Sequence, residues 1–270
     1  MKEPYVPQLG IVYPEKPDEH MINYKFVRDV KVDENYPFLD KSFKFKFIRF
    51  FMHLGIYILV FSVSPWLYGL KIEGRKNLRK HKKLFKNGAM TVSNHVQRWD
   101  FLFVMQAVRY RSMFFPIWKE LLKCPDAGFI RHAGGIPVPE DIKTMKCFNR
   151  AFDEVHEKKK WIHAFPESCR FDYFQPIRPF KKGVFTMAYR YNLPVIPIAF
   201  SYSEPRFPIT VINFFRKQKL PVIIARVGEP ILIDPSLGRK EAVIKLRKEC
   251  HEAIVRLAGI SENKYPADGD

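Results

Sequence analysis

The residues best suited to chemistry lie in Ser93-Asn94-His95-Val96-Gln97-Arg98-Trp99-Asp100, where a histidine precedes an aspartate by five positions, just after the apolar run Ala89-Met90-Thr91-Val92. A carboxylate on one imidazole nitrogen fixes the tautomer and frees the other nitrogen to take a proton. This is the base half of a nucleophilic triad without its nucleophile, because no Gly-x-Ser-x-Gly elbow occurs in the chain. Two readings stay open from these residues alone: a surface histidine near an aspartate, or a base whose nucleophile arrives on the substrate.

Two more polar clusters stand out. One is Phe165-Pro166-Glu167-Ser168-Cys169-Arg170, and the other is Pro179-Phe180-Lys181-Lys182-Gly183. Both fall at predicted junctions of strand and helix, where open α/β sheets carry their sites. Lysines beside a helix start make a natural anion site. A base, carboxylates and several cations suit a substrate with both a hydroxyl and a phosphate. Cys169 has no sequence neighbour to activate it as a nucleophile. His53, His132 and His163 lack metal-ligand spacing, so no metal is expected.

Alternating elements must position these clusters. Strands are predicted at 88–94, 114–117, 161–165, 194–200 and 220–227, with another inside 129–138 beside a Gly-Gly pair. Helices are predicted at 101–108, 143–159, 182–191 and 239–257, with a helical turn at 119–124. Asp100 is placed to start the first of these as an N-terminal carboxylate. Met145, Phe148, Phe152 and Val155 repeat at three- and four-residue spacing, as do Val243, Leu246, Cys250, Ile254 and Leu257. The alternation implies an α/β fold with a mixed, mostly parallel sheet flanked by helices. Four unpaired-looking cysteines fit neither a disulfide framework nor zinc spacing, which suits a reducing cytoplasm.

Lys and Arg outnumber Asp and Glu by 46 to 28, a net +18 that attracts polyanions: nucleic acid, an anionic bilayer or an acidic carrier protein. No zinc-finger spacing or RNA-binding aromatic signature supports nucleic acid. Residues 50–70, FFMHLGIYILVFSVSPWLYGL, carry no formal charge and match a bilayer crossing in length. Pro65 interrupts the run and basic residues flank both ends, so a segment inserted in one leaflet or the interface suits it better than a simple span. Residues 1–40 are polar and Pro-rich, unlike a signal peptide. The expected organisation is an extension at 1–40, a basic-flanked membrane-associated helical segment at 41–83, the α/β domain at 84–260 and a tail at 261–270.

In order and spacing, these blocks resemble the 1-acyl-sn-glycerol-3-phosphate acyltransferase family over about residues 70–230. Asn94-His95-x4-Asp100 matches the family's NHx4D. Lys119-Glu120-Leu121 and Gly135-Ile136-Pro137-Val138 resemble its second block. Phe165-Pro166-Glu167-Ser168-Cys169-Arg170, followed by Phe180-Lys181-Lys182-Gly183, is similar to Phe-Pro-Glu-Gly-Thr-Arg and its sequel. Val195-Ile196-Pro197-Ile198 is like the family's Val-Pro-Ile strand. A lone Hx4D is weak, whereas four blocks in order are specific.

The resemblance implies an O-acyltransferase with no bound cofactor. It would move a fatty acyl group from acyl-CoA or acyl carrier protein to a lysophospholipid hydroxyl, with 1-acylglycerol-3-phosphate giving phosphatidic acid. His95 would be the general base and Asp100 its orienter. Lys119, Arg170, Lys181 and Lys182 would hold phosphate, and Glu167 would order that pocket or contact the glycerol. Ser168 and Cys169 complete the substrate-binding block. The expected location is the cytoplasmic face of a membrane, the cell's inner membrane, with membrane lipids as partners and no nucleic acid. Two positions depart from the family. Pro139 and Glu140 stand where it has Asp-Arg, and a carboxylate there would repel phosphate. Ser168 stands where it has glycine, which would shift the loop. The alternatives are a different hydroxyl acceptor, or a non-catalytic lipid- or membrane-binding protein on the same scaffold.

Overall fold

Seven strands form one sheet in the computed structural model, which describes residues 4–217 and 219–267. In chain order they are β1 (Lys71–Glu73), β2 (Met90–Ser93), β3 (Met113–Trp118), β4 (Gly135–Val138), β5 (Trp161–Ala164), β6 (Val195–Ser203) and β7 (Val222–Val227). The sheet order is β1-β7-β6-β2-β5-β3-β4. Every pairing is parallel except β6 with β7. The sheet is therefore mixed and mostly parallel. Its central strands β2 and β5 are buried at every residue, as strands covered on both faces must be.

The helices are α1 (Phe43–Gly55), α2 (Phe61–Leu67), α3 (Arg75–Lys80), α4 (Asp100–Ala107), α5 (Ala127–Ala133), α6 (Ile142–Glu157), α7 (Gly183–Arg190), α8 (Ile209–Arg216) and α9 (Arg239–Ala258). Two apolar layers sandwich the sheet. Phe101, Phe103, Val104 and Met105 of α4 pack on one face. Phe148 and Phe152 of α6, Phe185 of α7, and Leu246, Cys250 and Ile254 of α9 pack on the other. The three- and four-residue spacing of α6 and α9 translates directly into that second layer. Asp141 caps α6 by accepting from the Thr144 amide at 2.8 Å.

Four local features differ from the sequence expectation. The sheet starts at Lys71, inside the segment assigned to the membrane-associated helix. The short α3 and α8 were not expected. Residues 127–133 form a helix before the Gly-Gly pair. Gly134 then takes φ +132°, and a Cβ there would meet the Met113 carbonyl oxygen at 2.2 Å, so only glycine makes that turn. Residues 4–39 form no helix or strand, yet specific contacts bind them to the loops after β3 and β5 and to Trp118. Tyr13 donates to the Asp172 carbonyl at 2.8 Å, Val27 N donates to Lys123 O at 2.9 Å, and His20 stacks on Trp118 at 4.3 Å.

In the N-terminal segment, α1 passes through one π-helical turn, Ile56–Val60, into α2, which contains Pro65. No single helix among the described residues is long and apolar enough to cross a membrane. Phe43–Ile58 and Phe61–Leu67 meet that test only as a pair, bent by 46°. The orientation of α1 is the reverse of a core helix. Arg49 donates to His132 O and Ser112 Oγ, and His53 contacts His132 O, so its polar side faces the domain. Phe43, Phe47, Phe50, Phe51 and Leu54 face outward.

Candidate active site

β2 ends at Ser93, and the chain turns through Asn94-His95 before α4 begins at Asp100. Asn94 fixes the turn to the neighbouring strand: its amide donates to Phe200 O at 3.0 Å and its oxygen accepts from Phe200 N at 2.8 Å. Asp100 is fully buried, and its Oδ2 meets His95 Nδ1 at 2.8 Å. The same oxygen accepts from the amides of Val96 and Gln97, at 2.9 and 3.1 Å. Asp100 therefore ties the loop before its helix rather than capping the helix's own first amides. With Nδ1 so engaged, His95 keeps Nε2 for the cavity that its ring lines. Phe165 stacks on that ring at 4.0 Å, nearly parallel, which fixes its plane.

Behind the pair lies a buried staple. Glu167 Oε2 accepts from His95 N at 2.8 Å and from the Arg178 guanidinium at 2.9 Å, while Oε1 accepts from Arg178 N at 2.8 Å. Arg178 is 1% exposed, lies over the Phe171 ring at 3.9 Å and also donates to Pro17 O. Glu167 thus orders the pocket, since both its oxygens are spent on the protein. Its sequence block drew attention to Glu167, but nothing marked Arg178, whose partner lies across a turn of irregular chain.

The other candidates divide. Arg170 is buried and its Nε sits 2.8 Å from Asp172 Oδ1, an ion pair whose two atoms form no aligned hydrogen bond. Burial raises the Asp172 carboxyl, with Arg170 opposing the shift. Lys181 reaches Asp18 of the N-terminal strap at 3.1 Å. Its hydrogen bond is the main cause of the lowered Asp18 pKa. Both cations line the cavity. Lys119 and Lys182 do not. Lys119 pairs instead with Glu140 at 2.7 Å, and Glu140 is 75% exposed and outside the cavity wall. The carboxylate that would repel a phosphate therefore points away. Ser168 keeps the left-handed conformation at φ +64°, so the loop holds a glycine-like turn without glycine. Cys169 is buried, its thiol donates to Asp18 O at 3.1 Å, and burial pushes its pKa up, which leaves it a poor nucleophile.

The strap adds residues that the sequence did not suggest. Asp18, His20 and Tyr24 complete the cavity wall near His95, and the guanidiniums of Arg98 and Arg170 lie 5.6 and 5.9 Å from the Tyr24 ring centre. Arg98 itself is held by Asp126, with Nε donating at 2.8 Å. No periodicity or motif marks such contacts, because an irregular strap is placed by single hydrogen bonds and ring stacks.

The cavity has a volume of about 960 Å³. It runs along the sheet from His95, after β2, to Met90 at the start of that strand. Phe115 and Ile117 of β3, Phe148 of α6 and Met187 of α7 line it. The site thus joins an oriented base and two cations to a long apolar chamber. That arrangement can activate a hydroxyl beside an anionic group while holding an alkyl chain out of water. No group of His, Cys, Asp and Glu suited to a metal occurs among the described residues.

Comparison with known proteins adds an independent line. A family model described as acyltransferase matches residues 69–201. A 1-acyl-sn-glycerol-3-phosphate acyltransferase of Haemophilus influenzae is 25% identical over 224 residues, covering 81% of this chain and 88% of that protein. The human 1-acyl-sn-glycerol-3-phosphate acyltransferase beta is 29% identical over 195 residues, covering 70% of this chain and 65% of its own length. The crystal structure of the 1-acyl-sn-glycerophosphate acyltransferase PlsC of Thermotoga maritima aligns at 21% identity and a TM-score of 0.48, covering 84% and 85% of the two chains.

Proposed function

This chain belongs to the acyltransferase family, and on that premise we propose that it transfers a fatty acyl group from a thioester donor to 1-acylglycerol-3-phosphate, giving phosphatidic acid. The observation that carries the reading is the His95–Asp100 pair set at the head of an apolar chamber. His95 Nε2 takes the proton of the acceptor hydroxyl as its oxygen attacks the thioester carbonyl carbon. The tetrahedral intermediate collapses, the C–S bond breaks, and the thiolate leaves with the proton from His95. Asp100 stabilises the imidazolium between these steps. The substrate supplies the nucleophile, so the chain needs no serine elbow.

The acceptor phosphate sits against Arg170 and Lys181. Arg170 exchanges its unaligned contact with Asp172 for bidentate bonds to phosphate oxygens. Coenzyme A and acyl carrier protein both bring anionic groups to a chain of net charge +18, and either suits as donor. The outward aromatic side of α1, with Lys44 and Lys46 exposed beside it, supports a protein that lies on a membrane surface. The cytoplasmic face of the cell membrane, where both donors are present, is the proposed location.

Labelled acyl donors offered with a panel of acceptors test this reading. Arg170→Ala is expected to raise the KM for 1-acylglycerol-3-phosphate at least tenfold, by the ~1.5–3 kcal/mol of a charge-assisted bond, and to leave phosphate-free acceptors unaffected. Equal losses on both classes would remove Arg170 from phosphate recognition.

A further inference from the structure

Helix α8 carries an apolar face that no described residue covers. Ile209 is fully buried against Val222 and Ile224, which fixes the helix to the sheet's edge. On its opposite side Val211, Phe214 and Phe215 are exposed, the two phenylalanines at 79% and 78%. Phe207, just before the helix and 72% exposed, continues the stripe at helical spacing. Rings this exposed are costly in water and mark a surface that is covered in use.

Charge identifies the cover. Arg206, Arg216, Lys217 and Lys219 are exposed around the stripe, and Glu204 is the one acid between residues 204 and 219. The turn after the helix is pinned where Asn213 donates to Leu220 O at 2.8 Å and accepts from Leu220 N at 3.1 Å. A basic collar around an aromatic face suits an anionic lipid interface, with rings at acyl depth and cations among the phosphates. The face is also continuous with the N-terminal helices. Exposed Trp66 of α2 meets Phe207 edge-on at 5.9 Å, although the two lie 141 positions apart in sequence.

We propose that α8 is a second foot on an anionic phospholipid bilayer, beside α1 and α2. Phe207, Val211, Phe214 and Phe215 enter the interface, and Arg216, Lys217 and Lys219 hold headgroup phosphates. The inference rests on the membrane-surface reading of α1 and α2 for its continuity, and on its own residues for the rest. It does not depend on the acyl-transfer chemistry.

Sedimentation of the full chain with phosphatidylcholine vesicles, with and without phosphatidylglycerol, tests it. Phe214→Asp with Phe215→Asp should lower the partition coefficient on mixed vesicles by about tenfold or more, with the thermal midpoint unchanged because both rings are solvated. Lys217→Glu with Lys219→Glu should weaken binding to mixed vesicles and leave binding to neutral ones as it was. Phe50→Asp with Leu54→Asp reports on α1 separately. Undiminished binding of the α8 phenylalanine variant, while the α1 variant is impaired, overturns the second foot alone. A wild type that binds no vesicle overturns both membrane readings. A phenylalanine variant that binds normally but changes molar mass in light scattering identifies a contact between copies, and also overturns the proposal.

Discussion

His95 and Asp100 work as a unit because one carboxylate oxygen does three things: it meets Nδ1 and ties two loop amides. Asp100→Asn weakens all three and puts an amide donor beside the imidazole, which favours the wrong tautomer. We expect kcat to fall by roughly 10²–10⁴, the usual worth of a positioned base, with the fold kept. A loss below threefold would contradict the role. His163, on the neighbouring strand, makes a different prediction. Burial lowers its pKa from 6.5 to about 3, with His95 adding to the effect. Between those values the unfolded chain is protonated at His163 and the folded chain is not. Stability from this residue therefore falls as pH drops through that window, by up to ~1.4 kcal/mol per unit. His163→Gln should flatten the fall of the thermal midpoint between pH 6 and pH 4. Parallel wild-type and variant slopes would contradict it.

At the scale of elements, the Glu167–Arg178 staple connects the loop after β5 to the turn that holds His95. Glu167→Ala leaves a buried guanidinium without its carboxylate, and we expect a loss of ~3–5 kcal/mol in denaturant unfolding. Replacing both residues together, Glu167→Leu with Arg178→Met, should recover much of that loss. If Glu167→Ala costs under ~1 kcal/mol, the staple does not carry the loop. Legibility in the sequence divides along the same line. Strands β2, β5 and β6 are short, mostly apolar runs, and helices α6 and α9 repeat their apolar residues every three or four positions, so the sequence reveals the layers they form. His95, Asp100, Glu167 and Arg170 were visible as blocks. Arg178, Tyr24 and Asp18 were not, because they reach the site through irregular chain. α8 was not legible because it is eight residues long and opens on Ile209, Thr210, Val211 and Ile212, β-branched residues that read as strand. The direction of Glu140 is a matter of side-chain placement, and only the structure shows it turned toward Lys119.

For the whole molecule, the proposed seat on an anionic surface rests on the +18 charge and the outward aromatic faces of α1, α2 and α8. Raising salt from 0.1 to 1 M shortens the screening length from about 10 to about 3 Å. Binding to phosphatidylglycerol-containing vesicles should weaken several-fold in parallel, with a salt-resistant remainder from the inserted rings. Salt-independent binding would contradict the charge argument. The central claim is that His95 makes a nucleophile of the acceptor's own hydroxyl. The most direct test is the initial rate of phosphatidic acid formation from acyl-CoA or acyl carrier protein and 1-acylglycerol-3-phosphate, for wild type and His95→Ala. The account predicts turnover by the wild type and a loss of about 10²–10⁴ in kcat for the variant. Equal rates for the two, or no transfer by the wild type from either donor, would contradict it.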